Sequence, residues 1–361
     1  MDSVILKLIT INTLGILVFS TVSSFIPIFL SNRGYSAPEI GFIYALGALV
    51  VLLMPVFSLL ADHLGKRKFL QLSFIFTSIS FVGYTINAYL GKIADSLSYA
   101  SWVMRAAIAD LTPKKILNST LARLGSTELL AISCGIVLGG ILIQHLGFNS
   151  WFYAAAVINL ILGLFFIPKF TEKHRLTSIK PEWHFPKPLL VVCGLSFLWG
   201  TGSGIMGLST PLLFSDFFQI NIIKIGALIS ITALAYSLPP LLAGKNMDKL
   251  QARNLLGVSC FLSFVFSIIL FFNRSFPSYY ILAIIQSSLL SFIPSTLDRL
   301  IVDSSRSKHR AFDISFAKTT YFLGNGLGAI LFGYMVSMFG LFGGYLVQAV
   351  ELILMAALLF I

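Results

Sequence analysis

Long apolar runs separated by short polar loops extend over the whole chain. A helix that spans a bilayer needs roughly 20 mainly apolar residues. Twelve segments meet this requirement, and no stretch between them is long enough for a folded soluble domain. The pattern predicts an all-α polytopic membrane protein with twelve transmembrane helices, numbered 1 to 12 in this order: 5–30, 37–61, 68–89, 92–110, 118–146, 150–167, 188–214, 220–243, 254–272, 278–302, 312–337 and 340–361.

The composition supports a membrane location. Apolar residues make up 57% of the chain and charged residues only 11%, whereas a soluble domain has about 25% charged residues. Most of the surface must therefore face lipid. The three cysteines, Cys134, Cys193 and Cys260, lie inside apolar segments and form no CxxC pair, so we expect neither a disulfide framework nor a metal site. Nucleotide-binding and metalloprotease motifs are missing from the sequence, so we expect no cofactor and no enzyme activity.

The basic residues indicate an orientation. The net charge is +11, and sixteen lysines and arginines fall in the even-numbered loops and the linker at 168–187, against four in the odd-numbered loops. Cytoplasmic loops carry an excess of Lys and Arg. We therefore expect a multi-pass protein of the cytoplasmic membrane with both termini in the cytoplasm. The bases then contact lipid headgroups and not nucleic acid, and we expect a monomer.

Two halves of the chain resemble each other. Asp62 and Arg67 recur as Asp248 and Arg253 at an offset of 186 residues. Further along, the offset is 193, and it relates Asp110, Gly135, Gly140 and Gly147 to Asp303, Gly328, Gly333 and Gly340. A duplicated bundle is the usual architecture of secondary transporters. We predict two pseudo-symmetric six-helix bundles, 1–167 and 188–361, joined by a cytoplasmic linker at 168–187.

The loop at 58–68 carries a family resemblance. Its residues Leu60, Ala61, Asp62, Gly65, Lys66 and Arg67 match the pattern G-x-L-a-D-r-x-G-r-k, which joins helices 2 and 3 in the major facilitator superfamily, while Ser58 and His63 differ from it. The segment 108–115 resembles the end of helix 4 in that family. The segment 131–140 resembles its helix-5 antiporter motif, with Ile136 where that motif has proline. The resemblance covers the whole chain and implies a transporter that works by rocker-switch alternating access.

The same resemblance implies a role for the loop. In the family, the aspartate at the position of Asp62 is thought to latch the first bundle to the start of helix 11 in one of the two carrier states. The alternative is a topology anchor without a switching role, because the basic residues can bind anionic headgroups. The residues predicted to form the latch are Asp62, Gly65, Lys66 and Arg67, with Asp248 and Arg253 in the second copy.

Polar side chains line one arc of helices 1, 4, 7 and 10, within about 120° at 100° per residue. The resemblance implies that these helices surround a central substrate cavity; packing between helices by small hydroxyl groups is the alternative. Aromatic residues could stack on a solute, and intramembrane charges mark functional sites. The predicted cavity residues are Asn12, Ser20, Tyr99, Trp102, Arg105, Trp199, Ser203, Tyr236, Ser291, Asp298, Lys318 and Tyr321.

Two carboxylates lie deep in predicted helices. Glu128 in helix 5 is a candidate proton carrier, with a structural ion pair as the alternative. Glu351 in helix 12 needs either a partner on a neighbouring helix or a protonated state.

The function that fits these features is secondary active transport of a small solute, an organic anion or another metabolite, with protons as a candidate second partner. The alternatives are a proton-coupled drug or metabolite efflux pump and a non-transporting membrane sensor on the same fold.

Overall fold

The computed structural model describes residues 3–53, 65–98, 100–113, 116–170, 186–247, 251–305 and 310–359. Every regular element in these ranges is helical. Twelve helical segments follow in the predicted order, and some are interrupted. They are α1 (Ser3–Ser23 and Ile26–Asn32), α2 (Ala37–Val51), α3 (Lys66–Ile86), α4 (Ala88–Ser96 and Ala100–Leu111), α5 (Leu117–Leu146), α6 (Phe148–Ile161, with a π turn at Leu162–Phe166), α7 (Lys187–Leu212, with a π turn at Leu213–Phe217), α8 (Ile222–Met247), α9 (Ala252–Phe272), α10 (Phe276–Leu290 and Phe292–Ser304), α11 (Arg310–Phe339) and α12 (Gly343–Leu358).

Length and hydropathy make these helices suitable for a bilayer. Nine of the described helices are long and apolar enough to cross a membrane, and α2 and α12 are shorter apolar helices. The predicted end of helix 2, at residue 61, lies outside the described residues. The prediction of an all-α polytopic fold is confirmed.

The start of α4 differs from the sequence prediction. The apolar pattern placed this helix at 92–110, but α4 begins at Ala88 because Asn87 caps it. The Asn87 side-chain oxygen accepts hydrogen bonds from the backbone N–H groups of Tyr89 at 2.9 Å and Leu90 at 3.3 Å. Such side-chain caps satisfy the free donors at a helix start. Lys92, at which the predicted helix began, lies one turn inside α4 and pairs with Asp95 at 2.6 Å.

Glycines related by the repeat adopt the same conformation. Gly147 after α5 and Gly340 after α11 both have positive φ, 78° and 67°, a region that glycine enters without steric cost. Gly135 and Gly328 permit close approach of neighbouring helices. A Cβ on Gly135 would lie 2.5 Å from a backbone oxygen of α1, and one on Gly328 would lie 2.0 Å from a backbone oxygen of α7. The packing of α5 on α1 is therefore repeated as α11 on α7.

Backbone proximity divides the chain into two compact units, and each contains a segment from the other half of the sequence. In unit 2, Gly41 of α2 approaches Ala329 of α11 so closely that a Cβ would lie 2.2 Å from the Ala329 oxygen. In unit 1, Ser230 Oγ of α8 donates to the Ser133 oxygen of α5 at 2.8 Å. The predicted division at 1–167 and 188–361 stays a prediction. Unit 1 comprises Met1–Phe29, Val50–Ile179 and Asn221–Ser230; unit 2 comprises Leu30–Leu49, Lys180–Ile220 and Ile231–Ile361.

Each unit has its own apolar core. In unit 1 the core joins α1, α3, α4, α5 and α6, with Leu8, Leu70 and Met104 fully buried. In unit 2 the largest cluster joins α7, α9, α10 and α12, around Leu256 and Leu352. These cores fix the helices on which the polar residues described next are carried.

Candidate functional site

Three predicted residues meet in unit 1. Glu128 of α5 is 8% exposed. Its Oε1 accepts a hydrogen bond from Asn12 Nδ2 of α1 at 2.9 Å, and its Oε2 forms an ion pair with Arg105 Nη2 of α4. A buried carboxylate is tolerated when it is both paired and hydrogen-bonded. Glu128 therefore has the surroundings of a structural ion pair, which was the alternative to a proton carrier.

The direction of the Arg105 side chain follows from this pair. Arg105 could extend to the membrane surface near Asp110, five residues later in α4. Instead it contacts Glu128, and Asp110 pairs with Lys66 at the start of α3. The Arg105 side chain is nevertheless 46% exposed. Arg105 lies six residues, or about 9 Å by the helical rise, before the end of α4.

Five predicted cavity residues come together in unit 2. Lys318 Nζ of α11 lies 2.5 Å from Asp298 Oδ1 of α10, and the two side chains are 31% and 56% exposed. Tyr236 of α8 lies within electrostatic range of Asp298 and of Tyr321. Tyr321 of α11 lies near Ser203 of α7, whose hydroxyl group donates to the Trp199 carbonyl oxygen of its own helix at 2.8 Å. Residues of α7, α8, α10 and α11 therefore lie close together, and among them are an accessible ion pair and two tyrosine side chains.

The two ion pairs are related by the internal repeat, with their charges inverted. The offset of 193 residues relates Arg105 of α4 to Asp298 of α10. The same offset relates Glu128 to Tyr321, and Lys318 lies one helical turn before Tyr321. In the first half of the chain the base lies on α4 and the acid on α5. In the second half the acid lies on α10 and the base on α11. Each half of the chain thus carries one ion pair between the corresponding pair of helices.

Other predicted cavity residues have different surroundings. Ser20 and Ser291 are buried, and their hydroxyl groups donate to carbonyl oxygens of their own helices at 2.7 and 2.6 Å. Trp199 is 8% exposed and belongs to the apolar core of unit 2. These surroundings are those of interhelical packing. Tyr99 and the side chain of Trp102 lie outside the described residues, and the assignment of all these residues to a cavity stays a prediction.

The predicted latch is described only in part. Asp62 and Asp248 lie outside the described residues. Gly65 has a φ of 93° and precedes α3 directly, as expected for a tight turn. Lys66 forms the pair with Asp110 within unit 1, and Arg253 is exposed at the start of α9. Arg67 is the remaining member, near the start of α3, and the latch itself stays a prediction.

A buried polar network in unit 2 was not predicted. Gln286 Nε2 of α10 donates to Ser267 Oγ of α9 at 2.7 Å and to Gln348 Oε1 of α12 at 3.1 Å. Nearby, the hydroxyl groups of Tyr279 and Tyr345 lie 2.7 Å apart, and both residues are fully buried. Glutamines inside apolar helices are the sequence signal that could have indicated this network, because buried amides need partners.

A fold of twelve apolar helical segments with paired charges inside its spans defines a polytopic membrane transporter. The model of the Major Facilitator Superfamily matches residues 8–199 and residues 191–361. The chain belongs to this superfamily.

Solved structures agree with this assignment. A bacterial homolog of the human lysosomal transporter Spinster, in an inward-facing and unoccupied conformation, superimposes with a TM-score of 0.81 at 14% identity, over 99% of this chain and 95% of that chain. A D-xylose-proton symporter gives 0.71 at 16% identity, over 99% and 97%. The human organic anion transporter MFSD10 (TETRAN) gives 0.69 at 14% identity, over 99% and 100%. No curated protein sequence matches this chain significantly. At these identities the structures show the fold alone.

Proposed function

We propose that this protein is a secondary active transporter that moves a small solute across the cytoplasmic membrane by alternating access. In this proposal the halves 1–167 and 188–361 rock about a shared site, the linker 168–187 and both termini lie in the cytoplasm, and the carrier acts as a monomer in the bilayer. Membership of a transporter superfamily supports the proposal, as does the internal repeat.

The observation that carries the proposal is the accessible ion pair of Lys318 and Asp298. A charge at mid-bilayer costs roughly 2.5–3.5 kcal/mol even on lenient scales. Lys318 and Asp298 are 31% and 56% exposed. Both lie within apolar helices: the candidate span of α11 begins at Phe316, two residues before Lys318, and that of α10 covers Phe276–Ser304. Charged side chains inside such spans are tolerated where they face each other and water within the protein, and a water-accessible charge pair of this kind is the expected feature of a polar solute site.

The solute class follows from how this pair would be used. An organic anion would compete with the Asp298 carboxylate for the Lys318 ammonium, and the Tyr236 and Tyr321 rings could pack on its apolar part. A cation would compete for Asp298 instead. We favour the anion because, in the ion pair of unit 1, the base is the exposed partner: the Arg105 side chain is 46% exposed and the Glu128 side chain only 10%.

The experiment starts from a thermal-shift screen of the purified protein against a metabolite library. Each compound that stabilises the protein is then tested for flux in proteoliposomes. For an anionic solute, Lys318→Gln should abolish flux, and Asp298→Asn should preserve or strengthen binding because it frees the ammonium. If Asp298→Asn abolishes flux and Lys318→Gln does not, the solute is a cation. If both substitutions have equally small effects, the solute is neutral or binds at a different site.

The same assay separates the alternatives. Binding without flux in either direction, for every stabilising compound, would contradict the transporter and favour the membrane sensor. Solute flux that occurs only when a proton gradient drives protons in the opposite direction would indicate proton-coupled efflux. Ile136 occupies the position of the antiporter-motif proline, so we expect no such requirement.

A further inference from the structure

Glu351 is a buried acid that the proposed solute site does not use. It lies in the middle of α12, about 12 Å from the first residue of that helix by the helical rise, and it is 3% exposed. Among the described residues, neither carboxylate oxygen has a hydrogen-bond partner. The carboxyl group is therefore enclosed in the protein without the compensation that an ionised form requires.

The groups that face Glu351 come from three neighbouring helices. From α7, the backbone of Gly202 lies so close that a Cβ there would be 1.7 Å from Glu351 Oε2. Cys260 of α9 and Tyr321 of α11 lie within electrostatic range of the carboxyl group. On α10, the residues packed in the same core are apolar. No lysine, arginine or histidine of the described chain lies within ion-pair distance of Glu351.

Glu128 provides an internal comparison. Both glutamates lie within long helices and both are almost fully buried, at 8% and 3% exposure. Glu128 is ion-paired with Arg105 and bonded to Asn12. An ionised Glu128 is thus compensated, whereas an ionised Glu351 would be an isolated charge, which is very costly in a medium of low dielectric constant. The neutral acid is the form of Glu351 that this geometry accommodates.

A polar column leads along α12 to this acid. Tyr345, Gln348 and Glu351 recur every third residue on the buried face of the helix. The rise from Tyr345 to Glu351 is about 9 Å. Gln348 is bonded to Ser267 and Gln286, and Tyr345 to Tyr279. The column places polar groups at one-turn intervals between the start of α12, which the predicted topology places at the outer side, and Glu351, although no hydrogen bond of the described residues joins the carboxyl group to it.

The contact with Gly202 joins this acid to the solute site. Gly202 precedes Ser203, a predicted cavity residue that lies near Tyr321. On the opposite face of α7, Gly200 and Gly204 lie against the backbone of α11, where a Cβ would be 1.9 and 2.1 Å from backbone oxygens. The helix is thus held between α11 and the Glu351 carboxyl group. An ionised carboxylate needs water or a base beside it, and the Gly202 contact leaves no room for either on that side.

We propose that Glu351 is a proton-binding site: it is protonated in this conformation, and it releases its proton to water when α7 moves away from it. The proton site stands on Glu351 and its surroundings alone. Its coupling to transport rests on the proposed function. In the coupled step the carboxylic acid O–H bond breaks, the proton passes to water as hydronium, and the carboxylate is hydrated; rebinding of a proton reverses the step.

The protonation state is tested without any solute. Infrared spectra of the full-length protein in lipid nanodiscs at neutral pH should contain the carbonyl stretch of a protonated carboxylic acid. The band should be lost in Glu351→Gln and kept in Glu128→Gln. If the spectra contain carboxylate bands and no acid band, the proposal is overturned. The same holds if the acid band is lost in Glu128→Gln and kept in Glu351→Gln. Should Glu351→Gln fail to fold, Glu351→Asp takes its place and should shift the frequency of the acid band; an unshifted band, or the absence of any acid band at neutral pH, overturns the proposal.

Coupling has its own readout. With a solute found by the screen, the initial rate of flux is measured with and without a pH gradient. The ratio of the two rates should exceed one for the wild type and equal one for Glu351→Gln. The variant should still exchange solute. A ratio unchanged by the substitution would overturn the coupling. An acid band without any transported solute would leave the proton site in place and contradict the proposed function. Transport without an acid band would overturn the proton site and leave the proposed function in place.

Discussion

The contact between α7 and α11 offers a sharp test of the fold. A Cβ on Gly200 would lie 1.9 Å from the Tyr321 backbone oxygen, and one on Gly324 would lie 1.9 Å from the Phe197 backbone oxygen. Favourable contacts between such atoms begin at about 3.5 Å, so Gly200→Ala requires α7 and α11 to separate by about 1.5 Å locally. Both atoms belong to helix backbones, and no side-chain rotation can relieve the overlap. Small residues of this kind let membrane helices pack closely.

We expect Gly200→Ala to lower stability by about 1–3 kcal/mol, the usual cost of overpacking a tight interface. Gly207→Ala in the same helix is the matched control, because nothing lies within 4 Å of a Cβ at that position. This control should be neutral or stabilising by up to about 1 kcal/mol, since alanine has the higher helix propensity. Thermal unfolding of both variants in the same detergent, followed by tryptophan fluorescence, gives the comparison. Equal melting temperatures for the two variants would refute the close contact of α7 with α11.

Three further outcomes are expected. Arg105→Gln should destabilise the protein by roughly 1–3 kcal/mol more than Glu128→Gln, because it leaves the buried Glu128 unpaired, whereas the partly exposed Arg105 can reach water. Thermal unfolding of both variants at pH 7 measures this difference, and a greater loss of stability in Glu128→Gln would contradict the assigned burial. Lys66→Gln should cost at most about 1 kcal/mol, with the difference from wild type shrinking at high salt, because its pair with Asp110 is partly solvated; a large, salt-independent loss would assign this pair a different role. In a cysteine-free background, Lys169→Cys should react with a membrane-impermeant maleimide from the cytoplasmic side and Arg274→Cys from the outer side, since both positions are exposed in loops; labelling from the same side would contradict the predicted topology.

The sequence predicted the helices well because apolar length is a direct requirement of the bilayer. It placed the start of α4 at residue 92, four residues too late. Asn87, which ends α3 and caps α4, carries no hydropathy signal. Local side-chain bonds of this kind determine helix ends, and a hydropathy window averages over them.

The site was predicted less completely than the fold. Helical periodicity indicated Arg105 and Asp298, and Lys318 was included as a charge inside helix 11, but a single helix does not reveal which neighbour a charge will meet. The partners of Arg105 and Lys318 became visible only when α4 met α5 and α10 met α11. Serine stripes were ambiguous for the same reason, because a hydroxyl group such as that of Ser20 can bond its own helix instead of a solute.

The join at Asn87 has a practical meaning for engineering. With one residue between α3 and α4, this hairpin has no slack, so an epitope tag or fluorescent protein placed there would have to unwind a helix. The polar segment between α6 and α7 runs for many residues without an apolar run, and it is the better place for a fusion partner. A reporter for this carrier should therefore be inserted in that connection, leaving the short hairpin intact.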